Sequence, residues 1–379
     1  MVRRSFRWLS TGDRAVPPVP LHPPGGGEDG MPRENRTDTG ERVMPKLRPA
    51  GFRNPYPAYS LHLPERLTGV TMRQLAVQHR DDDEAAGVLA DVVGSLHGAH
   101  APVTYEHAAH VDRLGYTNDV ILAYWLDGDA EKSWSEEHPL GSWAAPELTA
   151  KGGPIGLWTE VLRAPADHFE TSYSYDSPTW GLASQFPAVL NAYHSYPGSM
   201  RDRIPAAEDA GLAGEVDSVV QAAPADSAGR HLVVTTPGNL CFIRSPQGWK
   251  HCPDDERAWF EERVLPVYQD GVGYLAANPQ ETGCLSARLA DLIVSNDDRV
   301  QTATLAWFLS LSHLERWAHS HATHLAIFKS AGELIARFAP DIHVTLGHEV
   351  YVAPEGGRME YLNCHDRTGF LPYFPAQYR

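Results

Sequence analysis

An α+β fold built from two similar halves is what this 379-residue sequence predicts. Apolar, strand-like runs recur on both sides of the chain's centre, and each set is interleaved with a segment whose apolar residues repeat at helical spacing. The composition is 42% hydrophobic, with 10 Trp, 15 Tyr and 11 Phe, enough to bury a substantial core. At roughly 100–200 residues per domain, the length allows two domain-sized units.

Residues 1–44 carry the run PPVPLHPPGGGEDG and too few apolar side chains for a core, so they read as a disordered extension, with Met31 or Met44 as an alternative start. A first half spans 45–228. Its RPAGFRNPYPAYS is extended and proline-punctuated, and LTGVTMRQLAVQHR alternates as a strand does. DDDEAAGVLADVVGSLHG reads as a helix: its acidic start suits the positive end of the dipole, and Val88, Leu89, Val92, Val93 and Leu96 recur at helical spacing. VILAYWLDG is a strand ending in the turn Asp127-Gly128. The stretch AAEDAGLAGEVDSVVQAAPADSAGR, rich in Ala, Asp and Ser, reads as a surface loop or linker.

The second half, 229–379, repeats the rhythm without visibly repeating the sequence. HLVVTTPGNLCFIRSPQGW supplies strand-like runs, and DDERAWFEERVLPVYQDGVGYL a helix and loop. LAWFLSLSHLERWAHSH reads as a further helix, with Leu305, Phe308, Leu309, Leu314 and Trp317 near one face, and HVTLGHEVYVA as a closing strand.

Several function classes drop out. A net charge of −16 argues against nucleic acid, which needs a basic patch, and points to a small-molecule partner. Cys241, Cys252, Cys284 and Cys364 have no CxxC spacing, which fits free thiols in a reducing cytoplasm. No window approaches the ~20 apolar residues of a membrane span. The start MVRRSFRWLSTGDR lacks the apolar core of a secretory signal, so a cytoplasmic location is expected. The signatures GxGxxG after a strand, GxxxxGK[ST] and GxSxG are missing.

Six of the 19 histidines, His313, His319, His321, His324, His343 and His348, cluster near the C-terminus and invite a metal. HATH lacks the glutamate of HExxH and has no cysteine nearby, which weighs against hydrolytic zinc. One imidazole on a helix ligating iron, with a second arriving from another element to move protons, is what a haem enzyme needs. The apolar pattern around His324 would serve any buried helix equally well.

Four long strings in order, YPGSMRDRIP (196–205), GNLCFIRSPQGW (238–249), LERWAHSHATHLAIF (314–328) and LGHEVYVA (346–353), resemble the hallmark segments of the haem-containing aldoxime dehydratases. RPAGFRNPYPAY, AYWLDG and HFETSYS extend the resemblance over roughly residues 45–379. That family is similar to haem-binding dimeric α/β-barrel proteins with two duplicated ferredoxin-like halves. The resemblance implies a homodimer that binds haem b and, with the iron ferrous, converts an aldoxime, R–CH=N–OH, to a nitrile and water. A haem sensor or a peroxidase-like enzyme on the same fold is the alternative.

By motif, the resemblance assigns His324 as proximal iron ligand, His348 as distal histidine and Ser245 as the serine that bonds the oxime hydroxyl. Arg203 and Glu170 match the distal arginine and its acidic partner, with Arg201, Glu160, His321 and His343 as rivals for these positions. Ser245 ahead of Pro246 also suits a turn. The sequence departs from the family in its Pro/Gly-rich start, in the Ala-rich stretch 206–228, and at Ala322, where proline is expected at the helix start.

Overall fold

β-Branched Val70, Thr71 and Val77 favour extended backbone in segment 69–79, a strand in the computed structural model, which describes residues 46–208, 212–222, 225–293 and 301–379. The proposed extension, 1–44, lies outside these residues. Fourteen strands are described: β1 (Tyr59–Leu61), β2 (Gly69–His79), β3 (Thr104–Val111), β4 (Thr117–Trp125), β5 (Gly156–Pro165), β6 (Phe169–Tyr173), β7 (Ala188–Leu190), β8 (His231–Thr235), β9 (Leu240–Gly248), β10 (Cys284–Leu292), β11 (Gln301–Phe308), β12 (Thr345–Ala353), β13 (Arg358–Leu362) and β14 (Ala376–Tyr378). They form one open sheet in the order β14-β8-β13-β5-β2-β4-β3-β10-β11-β9-β12-β6-β1-β7. The described pairings are antiparallel.

Helices fill the connections: α1 (Asp82–Ser95), α2 (Gly128–Glu137), α3 (Ser199–Arg203), α4 (Asp254–Trp259), α5 (Leu265–Ala277), α6 (Pro279–Thr282), α7 (Leu311–Ser320) and α8 (Ala322–Phe338). The Asp81 carboxylate caps α1 by accepting from the Asp83 amide. A π-helical turn, Phe260–Val264, joins α4 to α5.

One face of the sheet is sealed into a single core. Met72, Leu122 and Trp158 of β2, β4 and β5 share it with Phe242, Trp307 and Tyr351 of β9, β11 and β12. The other face is covered by helices: α1 and α2 bury Val88, Val92 and Trp134 against Leu75, Ile121 and Leu157. On the distant part of the sheet, Leu311 and Leu314 of α7 pack on Cys241, Ala306, Phe308, Val350 and Val352.

Two expectations need correction. Leu305–Phe308 belongs to β11, and helix α7 begins only at Leu311. Both faces of β11 are buried, so its side chains form an unbroken apolar run that periodicity cannot tell from a helix. The described parts of the stretch 206–230 are more than a surface loop: Leu212 is buried, Val216 and Val219 pack on the core, and Ser227 Oγ donates to the Cys364 carbonyl.

Phe242 is fully buried, with its ring centroid 4.9 Å from that of Trp307. Phe242→Ala should cost about 3–5 kcal/mol, transfer plus cavity terms together, as measured by urea unfolding.

Candidate active site

The site starts from a break in a ladder. Strands β9 and β12 pair from Thr345↔Gly248 to Ala353↔Leu240, but the rungs between Leu346↔Gln247 and Glu349↔Arg244 are absent. Pro246 explains the gap, because it has no amide to offer the Gly347 carbonyl. Ser245 Oγ donates to that carbonyl instead, at 3.2 Å. Ser245 therefore lies within a central strand rather than in a turn, opposite His348 in the same register. Gly347 has to be glycine, since a Cβ there would stand 2.5 Å from the Tyr173 ring.

Alternation along these strands separates two chemistries. Arg244 and Glu349 point into the sealed core, where Glu349 accepts from Tyr124, Tyr173 and Tyr351 and Arg244 pairs with Glu106. Burial pushes the Glu349 carboxyl up, against the pull of Arg244. Ser245 and His348 point to the face covered by helices.

On that face three groups converge. Glu170, on β6 beside β12, receives Arg203 Nε at 2.6 Å and Nη2 at 2.9 Å. Arg203, at the end of α3, also donates Nη1 to the Tyr193 carbonyl at 2.5 Å. His348 Nε2 stands 2.9 Å from Glu170 Oε1 and 3.0 Å from Arg203 Nη2. The buried Glu170 carboxyl would rise on desolvation, but Arg203 and His348 hold it at about 2, so it stays ionised. Protonated, His348 Nε2 donates to Glu170; neutral, the same nitrogen can accept from Arg203.

His324 comes from α8. The helix is capped at its start by His321, whose ring accepts from the Thr323 amide, so Ala322 serves as the first helical residue without proline. The His324 ring packs edge-to-face on Trp317, with centroids 4.7 Å apart, and its Nδ1 is buried with no hydrogen-bond partner among the described residues. Burial lowers the imidazole to about 4, opposed by the Ala318 carbonyl and reinforced by the charge of His348. His324 is therefore neutral at pH 7 and lies within electrostatic range of His348.

The rivals are engaged elsewhere. Arg201 pairs with Glu315 at 2.7 Å, and Glu160 is held inside the core by Arg288, Trp307 and Tyr361. His321 caps α8 and His343 pairs with Glu256. Sequence reasoning missed the Tyr193 and Gly347 carbonyls, which as backbone groups leave no trace in residue type.

A profile of haem-containing dehydratases matches residues 72–370 of this chain. The chain belongs to the haem-containing dehydratase family. Phenylacetaldoxime dehydratase of Bacillus sp. (strain OxB-1) is 32% identical over 84% of the chain and 91% of its own length. Aliphatic aldoxime dehydratase of Rhodococcus erythropolis is 30% identical over 87% of the chain and 94% of its own length. A solved aldoxime dehydratase in complex with butyraldoxime superposes with a TM-score of 0.79 at 30% identity, covering 88% of this chain and 94% of the other.

The residues of this dehydratase fit the cofactor of its family. His324 offers what iron requires: a neutral imidazole carried on a helix, its ring steadied by Trp317 and by the Ala318 carbonyl. Among the described residues no group of three His, Cys, Asp or Glu side chains could hold a bare metal ion.

The Glu170–Arg203 pair is buried, with side chains 1% and 6% exposed, so breaking it leaves an uncompensated charge. Glu170→Ala and Arg203→Ala should each cost about 3–5 kcal/mol, and the double variant less than their sum, in chemical denaturation. Because Glu170 is depressed from 4.5 to about 2 in the folded chain, its stabilising contribution should be complete above about pH 4.5 and vanish as pH falls through about 2.

Proposed function

We propose that this chain converts aldoximes, R–CH=N–OH, to nitriles and water at a ferrous haem b. The observation that carries the reading is the Glu170–Arg203–His348 cluster, a proton-handling group on the same sheet face as Ser245 and in electrostatic range of the neutral His324. The names of its relatives over nearly their whole length support it.

His324 is the proximal ligand. When bound, the haem supplies a Lewis-acidic iron for the oxime nitrogen. Loss of hydroxide from nitrogen is difficult at neutral pH, so His348, with its Nε2–H held by Glu170, delivers the proton of its other ring nitrogen, Nδ1, to the departing oxygen, and water leaves. The proton on carbon then returns to His348, and the cycle closes with no net redox change. Ser245 donates its hydroxyl hydrogen to Gly347, which leaves its lone pairs free to accept from the oxime O–H and orient it. Glu170, ionised, stabilises the imidazolium, while Arg203 balances Glu170 when the imidazole is neutral.

The chain is read as two ferredoxin-like halves, 45–228 and 229–379, of a dimeric α/β-barrel-like protein. In support, β2-α1-β3-β4-α2-β5 has the strand order β5-β2-β4-β3, and β9 to β12, with their helices, have the corresponding order β12-β9-β11-β10. A homodimer suits Leu325 and Phe328 of α8, which are 48% and 55% exposed in the single chain. A cytoplasmic location fits its acidic composition and its cysteine usage; among the described residues no helix is long and apolar enough to cross a membrane.

The test is anaerobic nitrile formation from phenylacetaldoxime and a short alkyl aldoxime by haem-loaded, dithionite-reduced protein. Nitrile is expected; its absence from protein confirmed to hold ferrous haem would favour a sensor or a peroxidase-like enzyme. His324→Ala should lose the Soret band. His348→Ala should keep it and lose roughly 10²–10⁴-fold in turnover, the range of general acid–base catalysis. Haem retention should fall in acid, as protons compete with iron for His324.

A further inference from the structure

The neighbour of Arg203 in α3, Asp202, meets a segment far from it in sequence. The Asp202 carboxylate, nearly buried, accepts three hydrogen bonds: the Leu47 amide at 2.8 Å, the Arg48 amide at 3.0 Å and the Tyr196 hydroxyl at 2.7 Å. It therefore ties the strap 46–48 and the loop before α3 to the residue next to Arg203. Further contacts lie along the same strap. Lys46 Nζ sits 3.7 Å above the Tyr193 ring, and the carbonyl of Tyr193 takes Arg203 Nη1. Phe52 packs edge-on against Tyr196, ring centroids 5.3 Å apart. Gly198 turns the loop with φ +84°, and a Cβ there would strike the Leu47 side chain.

We propose that Asp202 is a positioning residue: by clamping the strap onto α3, it fixes the guanidinium of Arg203 between Glu170 and His348. The inference rests on the reading of Arg203 as part of the distal site. Two amides and a hydroxyl converging on one carboxylate stabilise a single placement of α3, a helix of only five residues that could not hold its own position by backbone bonding. A displacement of about 1 Å at such a site is enough to cost orders of magnitude in rate.

The test uses full-length, haem-loaded ferrous protein with carbon monoxide as probe, because the C–O stretching frequency falls when positive charge lies near the bound ligand. Arg203→Gln should raise the frequency. Asp202→Asn should raise it in the same direction by less, and lower kcat about tenfold at unchanged KM. Asp202→Glu should recover most of both. A shift with Arg203→Gln but none with Asp202→Asn overturns the positioning role and leaves the reading of the site standing. No shift with Arg203→Gln overturns both. Should Asp202→Asn fail to fold or to load haem, Tyr196→Phe, which removes one of the three donors, is read in the same way.

Discussion

The register of β9 against β12 is the constraint on which the rest of the molecule depends. In each strand a residue turned into the core sits next to one turned to the helix-covered face: Arg244 beside Ser245, Glu349 beside His348. A slip by one residue would turn the charged pair toward the helices and the serine and imidazole into the sealed core. Such a slip is opposed by the three tyrosine hydroxyls that converge on Glu349 and by Glu106, which meets Arg244. Buried charge of this kind does little for net stability, but it penalises every alternative register in which it would be unpaired. The polar core is therefore what fixes the geometry on the opposite face.

The two polar sets differ as their tasks do. Glu349 is completely buried and its carboxyl is pushed up, whereas Glu170 is held down at about 2 by Arg203 and His348. One is a fixed acceptor for hydroxyls. The other is a permanent negative charge beside an imidazole whose side chain is 27% exposed.

Much of this was legible in the sequence. The mixed fold, β2, α1 and β12 followed from alternation and helical spacing, and the strings MRDRIP, IRSPQGW, SHATH and GHEV contain residues that the fold brings to one face. What was illegible has physical causes. β11 is buried on both sides and loses the two-residue period that marks a strand. The stretch 206–230 looks polar, yet a few apolar residues spaced along it cover the core. Which arginine meets which carboxylate was not legible either: Arg203 pairs with Glu170, Arg201 with Glu315 and Glu160 with Arg288 only because of where a short helix or a strand points them.

The proline in β9 sets stability against chemistry. Any residue with an amide at position 246 could restore two rungs in the middle of the sheet, and the Gly347 carbonyl would then be claimed by backbone. Ser245 would lose the acceptor that sets the direction of its hydroxyl. The unfilled rungs thus hand a backbone acceptor to a side chain: an irregularity of the ladder sets the orientation of a hydroxyl.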